Sequence, residues 1–270
     1  MLKHKLTTPQ VGYGTWASGD TNWAKDATLT ALKSGYRHLD CAWMYGVDAA
    51  VGQAIKESGI PREEIFVTSK FWPHFAADPK NVDLCLDQLL AGMGLEYVDL
   101  WLAHWPTAFE AIDQGHLEKA RAGPDTTNED RGMVFDKDEK PVIEYRHTSS
   151  TIAKAQGKEG SFVPVWKAMQ ECVRKGKARA VGVSNFSIAE MEELLEHQGD
   201  APISCNQVEG KWKRNTGTDR TEFGRLTLAS SPPMAPPERP PRVVCQARHR
   251  TDLLLAFRRP EGGRCHAAQG

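Results

Sequence analysis

Short apolar runs alternate with longer amphipathic stretches along residues 1–209. Val11–Trp16, Tyr36–Asp40, Ile65–Lys70, Tyr97–His104, Ala178–Ser184 and Ile203–Val208 read as strands. Asn22–Ser34, Val47–Ser58, Asn81–Met93, Phe162–Lys175 and Ile188–His197 read as helices. In Asn81–Met93 the side chains of Leu84, Leu86, Leu89 and Leu90 are expected to face the core. Gly35, Gly59, Gly94 and Gly176 fall just past four of these helices, where a left-handed residue ends the last turn. Regular strand–helix alternation implies a parallel sheet with right-handed crossovers. Eight strands close a barrel of this kind, and the pattern supplies six. The expected fold is α/β, a (β/α)8 TIM-barrel type left incomplete at about six βα units.

Residues 107–161 interrupt the rhythm. They are polar, with Gly123, Pro124, Gly157, Gly160 and the charged run Asp136–Lys140. Two readings stand side by side: a long functional loop over the mouth of the site, or a solvated insertion. A sharper break follows. Residues 1–209 carry 15 Lys and 7 Arg against 30 acidic residues, whereas residues 210–270 carry 2 Lys and 10 Arg against 5. Seven of the 16 prolines fall in that last stretch, a density that breaks helices and sheet ladders. The expected domains are a barrel over 1–209 and an Arg/Pro-rich, mostly irregular tail over 210–270.

Composition mainly removes alternatives. A chain of 270 residues with 40% hydrophobic and 26% charged content is an ordinary soluble globule. A net charge of −1 gives no reason to expect nucleic acid or an anionic membrane as partner. No apolar run approaches the roughly 20 residues that span a bilayer. The N-terminus lacks the apolar centre of a secretory signal. Cysteines at 41, 85, 172, 205, 245 and 265 form no CxxC pair and suit reduced, buried thiols. The location expected is cytoplasmic, with no metal. Oligomeric state has no signature in the sequence.

Candidate chemistry gathers at strand ends. Asp40, Lys70 and His104 each close an apolar run, and Tyr45 follows Asp40 shortly. Parallel barrels build their sites at this C-terminal face, from several strands at once. A free phenol titrates near about 10, too high for easy donation at neutral pH. A neighbouring ammonium favours the phenolate, so a lysine beside Tyr45 makes chemical sense. Each residue alone has a plainer reading. Asp40 could cap a helix or turn. Tyr45 could be a packed aromatic, Lys70 a surface lysine, and His104 a hydrogen-bonded core histidine. Ser184-Asn185 reads equally well as an N-cap. Trp43, Trp72 and Trp101 read as core, and Cys41 as a small buried residue.

The ordered set changes that balance. Gly14-Thr15-Trp16, Gly35-Tyr36-Arg37-His38-Leu39-Asp40, Tyr45-Gly46, Ser69-Lys70, Tyr97-Val98-Asp99-Leu100, His104-Trp105-Pro106, Gly182-Val183-Ser184-Asn185-Phe186 and Asn206-Gln207-Val208-Glu209 together resemble the aldo-keto reductase family. The resemblance covers about residues 5–209, and the long insertion is similar to that of fungal aldehyde and sugar reductases. It implies a barrel that uses NADP(H) to reduce small aldehydes and ketones. It implies Tyr45 as general acid, Lys70 as its charged neighbour, Asp40 as the partner of Lys70, and His104 as the residue that orients the substrate oxygen. Ser184, Asn185 and Gln207 would grip the nicotinamide carboxamide, with Asp40, Thr15 and Trp16 also on the cofactor. Trp16 and Trp105 would wall the substrate pocket.

After Glu209 the family pattern stops. The expected seventh and eighth strands, the loop over the pyrophosphate and the cluster for the 2′-phosphate have no recognisable counterpart in 210–270. The alternative expectation is therefore a truncated or frame-altered family member without catalytic activity. A barrel lyase or isomerase would need a phosphate-binding Gly-rich loop, which this sequence does not display.

Overall fold

The computed structural model of the chain describes residues 7–16 and 20–208. The expected tail over 210–270 lies outside the described residues. Strand β1 (Tyr13–Gly14) leads to α1 (Ala24–Lys33), then β2 (His38–Asp40), α2 (Asp48–Ser58), β3 (Phe66–Phe71), α3 (Asn81–Met93) and β4 (Leu100–Ala103). A small hairpin of β5 (Ala108–Phe109) and β6 (Ile143–Glu144) follows. Short helices α4 (Gln114–Glu118) and α5 (Asn128–Arg131) sit inside it, and α6 (Ser150–Ala155) comes after it. The alternation then resumes with α7 (Val163–Arg174), β7 (Val181–Ser184), α8 (Ile188–Leu195) and β8 (Ile203–Gln207). The main sheet has six parallel strands in the order β1-β2-β3-β4-β7-β8.

Alternation along the strands divides the sheet into two faces. Leu39, Val67, Phe71, Trp101, Ala103, Val181, Val183 and Ile203 join the large core that also contains Val51, Leu86, Leu89, Trp166 and Met169 from the helices. The opposite, inner face supplies a smaller cluster of Phe66, Leu100, Leu102 and Cys205, the last brought there, two residues after Ile203, by a register shift of β8 against β7. His38 belongs to this inner face, with its ring edge-on to Phe66 and its Nε2 2.9 Å from Thr68 Oγ1. Gly182 lies there too, because a Cβ would come within 2.8 Å of the Cys205 carbonyl. In α3 the buried set is Val82, Cys85, Leu86, Leu89, Leu90 and Met93, while Leu84 is only half-buried. The helical spacing explains this: Leu84 stands one position off the core stripe.

The insertion is built rather than loose. Asp113 caps α4 by accepting from the His116 N–H, and Thr127 and Asp130 form a reciprocal capping box on α5. Its far end is stapled to α8 by Glu193, which accepts from Ser150 N–H, Ser161 Oγ and Phe162 N–H, each at 2.8 Å.

At the opposite end of the sheet, Asp99 is 2% exposed. It accepts from Arg62, Arg179 and the Val67 N–H at 2.9 Å each, and both guanidinium groups lie over the Tyr97 ring. This buried network ties β3, β4 and the approach to β7 at the face away from the candidate chemistry.

Asp48 opens α2 with Oδ1 buried and, among the described residues, without a hydrogen-bond partner. Burial pushes its carboxyl up to about 8 from an ordinary 3.8. Between those values the unfolded chain has lost a proton that the folded chain keeps, so stability declines as pH rises through that window. Asp48→Asn should flatten the decline between about pH 4 and pH 8 and raise the urea midpoint at pH 8. A slope unchanged in the variant would assign the titration to another group.

Candidate active site

Asp40, Lys70, His104, Ser184 and Gln207 all fall on the inner parity of their strands, at or just beyond the C-terminal ends. The register explains why they meet: Asp40 lies opposite Thr68, Lys70 opposite Leu102, and Ser184 opposite Gln207. Lys70 is 2% exposed and Asp40 1%. Lys70 Nζ donates to Asp40 Oδ1 at 2.7 Å and to the Cys41 carbonyl at 2.8 Å. Burial alone would push the Lys70 ammonium down. Asp40 and the Tyr45 phenol outweigh it, and the net shift is upward. The plainer readings of these two residues fail on this geometry. Lys70 is not at the surface, and Asp40 caps no helix.

Tyr45 ends a single 3₁₀ turn, Trp43–Tyr45, that leaves β2 and stops at Gly46 with φ +65°. Lys70 Nζ stands 5.3 Å from the centre of the Tyr45 ring. The edge of the His104 imidazole faces that ring at 6.1 Å between centres. Four residues from three strand ends and one turn are thus brought together. Trp105 is half-buried, with its ring parallel to His104 at 6.4 Å, and Trp16 is 38% exposed at the end of β1.

On β7 and β8, Ser184 Oγ donates to the Gln207 carbonyl at 2.8 Å. Asn185 has φ +62°, and its Nδ2 donates to the His104 carbonyl at 3.0 Å and to Ser184 Oγ at 3.2 Å. The Ser184-Asn185 pair is not the helix cap. Ser187 takes that place, in a capping box with Glu190. Asn185 instead fastens the end of β7 to the end of β4. Gln207 Oε1 is buried and lacks a hydrogen-bond partner among the described residues. An orphaned amide oxygen beside a row of hydroxyl and amide groups suits a carboxamide ligand, which brings N–H donors of its own.

Thr15 does not turn toward this group. It is fully buried, its hydroxyl donates to the Asp40 carbonyl at 3.1 Å, and it neighbours the Cys41 thiol on the helix side. Trp72, read from the sequence as core, is half-buried and meets His104 edge-on at 5.0 Å. It also packs against the large core, so the core reading holds in part. Trp43, Trp101 and Cys41 are buried in the core as expected. An open depression of about 400 Å³ lies elsewhere, among Asp78, Asn81, Glu110, Asp113, Glu144 and Arg146 of the insertion and its base. Among the described residues no helix is long and apolar enough to cross a membrane.

A parallel α/β sheet gathers Asp40, Lys70 and His104 at its strand ends beside the turn of Tyr45, and comparison with known proteins identifies the family. The sequence profile of the Aldo/keto reductase family matches residues 10–215, and the chain belongs to that family. It is 42% identical over 203 residues to "Glycerol 2-dehydrogenase (NADP(+))" of Saccharomyces cerevisiae, covering 74% of this chain and 56% of that protein. It is 39% identical over 208 residues to "D/L-glyceraldehyde reductase" of Hypocrea jecorina, covering 74% of this chain and 52% of that protein. The aldose reductase structure from Giardia lamblia superposes with a TM-score of 0.59 at 28% identity, over 75% of this chain and 59% of that one. The chain thus spans about half the length of the curated relatives it matches.

Removing the Asp40 charge tests the electrostatics directly. Lys70 carries a raised pKa, so its stabilising contribution is complete below its ordinary 10.5 and is lost only as pH climbs past it. Asp40→Asn should leave a buried ammonium without its counter-charge and cost about 3–5 kcal/mol in urea unfolding at pH 7. The double variant Asp40→Asn with Lys70→Met should recover a large part of that loss. Equal stability of Asp40→Asn and the parent chain would refute the pairing.

Proposed function

We propose that the chain is an NADP(H)-dependent oxidoreductase that reduces the carbonyl of small aldehydes, ketones or open-chain sugars to alcohols. The observation that carries this reading is the buried Lys70 ammonium, held by Asp40 beneath the Tyr45 ring. A phenol gives up its proton more readily beside a fixed positive charge. Tyr45 Oη would protonate the carbonyl oxygen as the bond order falls. Lys70 would stabilise the charge left on the phenol, with Asp40 keeping it protonated and in place. His104 would hydrogen-bond the substrate oxygen and set its approach to Tyr45. Trp16, Trp72 and Trp105 would form apolar walls that keep water from the reacting carbonyl.

The nicotinamide cofactor, when bound, supplies the hydride. Ser184, Asn185 and the orphaned Gln207 Oε1 would hold its carboxamide, and Asp40, with Trp16 and the backbone of Thr15, would border it. The yeast NADP(+) glycerol 2-dehydrogenase favours NADP as cofactor, and together with the Hypocrea glyceraldehyde reductase it favours a small polyol or its aldehyde as substrate class.

A second reading, a family member that keeps these residues without turnover, is favoured by the change in charge and proline content at residue 210. Two experiments separate them. Tyr45→Phe should lower NADPH-dependent reduction of glyceraldehyde by at least about 10²-fold while leaving the melting curve in place. Unchanged turnover would remove Tyr45 from the role of acid. Titrating the full chain with NADPH should quench tryptophan emission saturably, because Trp16 and Trp105 would border the nicotinamide. A folded chain that shows no quenching would favour the second reading.

A further inference from the structure

The turn that carries Tyr45 is pressed against the backbone of the insertion. Gly46, the next residue, adopts φ +65°, and a Cβ there would come within 2.6 Å of the Ala122 carbonyl oxygen and of Gly123 Cα. These are backbone atoms and have no rotamer by which to yield. Only glycine satisfies both the left-handed conformation and the approach.

The segment it abuts is itself braced. Thr126 Oγ1 donates to the Gly123 carbonyl at 2.7 Å. Arg131 donates from Nη2 to that same carbonyl at 3.3 Å and from Nε to Thr126 Oγ1 at 3.0 Å. Arg121 N–H donates to the Asp130 carbonyl at 3.0 Å and closes the other side of the loop. On the sheet side the turn is backed by Trp43, whose ring packs tilted against His74 at 5.0 Å and edge-on to Phe75 at 5.1 Å. The Tyr45 turn is therefore clamped between an aromatic floor and a hydrogen-bonded brace in residues 121–131.

We propose that this part of the insertion is a seat that positions Tyr45, with Gly46, Thr126 and Arg131 as positioning residues acting through the backbone of Ala122 and Gly123. The catalytic part of the inference rests on Tyr45 as the proton donor. Its structural part does not. The brace fixes Gly123, Gly123 and Ala122 limit where Gly46 can go, and Gly46 fixes the rotation of the peptide next to Tyr45. Misplacing a reacting group by about 1 Å costs roughly 10²-fold in rate, so a loosened seat should appear in turnover before it appears in binding.

The test uses the full chain and two independent variants, Gly46→Ala and Thr126→Val, with Thr126→Ser as the conservative control that keeps the hydroxyl. The first readout is amide hydrogen exchange at Tyr45 and Gly46, whose N–H groups bond to the Ala42 and Trp43 carbonyls. Exchange there should quicken at least tenfold in Gly46→Ala and Thr126→Val, with the β3 and β4 amides unchanged and Thr126→Ser like the parent. The second readout is steady-state reduction of glyceraldehyde. Here kcat should fall about tenfold or more with KM for NADPH unaltered, and the pH profile should shift. Unchanged exchange at both amides in both variants would overturn the seat. Quickened exchange with unchanged kcat in an active enzyme would overturn its role in positioning the acid. A parent chain without turnover would count against the reductase reading alone, because the exchange result still decides the seat.

Discussion

A lysine and an aspartate buried together at the ends of two parallel strands set the terms for the rest of this molecule. Taking two such charges out of water costs several kcal/mol per ion, and only a close, hydrogen-bonded pairing offsets it. The Lys70–Asp40 contact at 2.7 Å, with the Cys41 carbonyl as second acceptor, meets that demand. The pairing holds only in one register of β2 against β3. A slip of one residue would send Lys70 into the Val67–Phe71 side of the sheet, among aliphatic and aromatic side chains. The apolar core on the outer face and the charged pair on the inner face therefore enforce the same alignment, one by attraction and the other by penalty.

From that constraint the division of labour between the two faces follows. The outer face is covered by helices and reads as continuous hydrophobic packing. The inner face changes character along the strands, from Phe66 to Lys70 on β3 and from Leu100 and Leu102 to His104 at the end of β4. That gradient makes the strand ends chemically distinct from the strand bodies. It also explains why residues far apart in the chain share one site: parity selects the face, and position along the strand selects the end.

Much of this was legible beforehand, because it is local. Strand parity, glycine after the helices, and charged or aromatic residues closing apolar runs are short-range features, and they placed the six strands, the five long helices and the four-residue group. Errors arose where a residue's fate depends on a neighbour from elsewhere in the chain. Strand Val11–Trp16 shrinks to Tyr13–Gly14 because only those two residues pair in register with β2, at Leu39 and Asp40. Ser184-Asn185 resembles a cap by composition, but Asn185 spends its amide on the His104 carbonyl, and the cap falls to Ser187. Trp72 looks like core by type and does pack against it, but its ring also meets His104. The insertion hid its structure most completely. Its elements are too short to generate a period, and its order comes from Glu193 and Thr148, which reach across 43 and 40 residues, and from the local brace of Arg131 on Gly123.

The insertion also changes what the six-stranded sheet can support. A residue at a strand end inherits its position from the ladder, as Lys70 and Asp40 do. Tyr45 does not, because it sits beyond β2 on a turn with two backbone hydrogen bonds of its own. A phenol placed to within a fraction of an ångström on such a short turn needs support from outside the sheet. Trp43 on His74 and Phe75 supplies one side of that support, and Gly46 against Ala122 and Gly123 supplies the other. The ladder therefore fixes the Lys70–Asp40 pair, while the turn that carries Tyr45 is bordered by the insertion. Of the two readings that the sequence left open for residues 107–161, the contact of Gly46 with Ala122 and Gly123 favours a segment that borders the site over a merely solvated insertion.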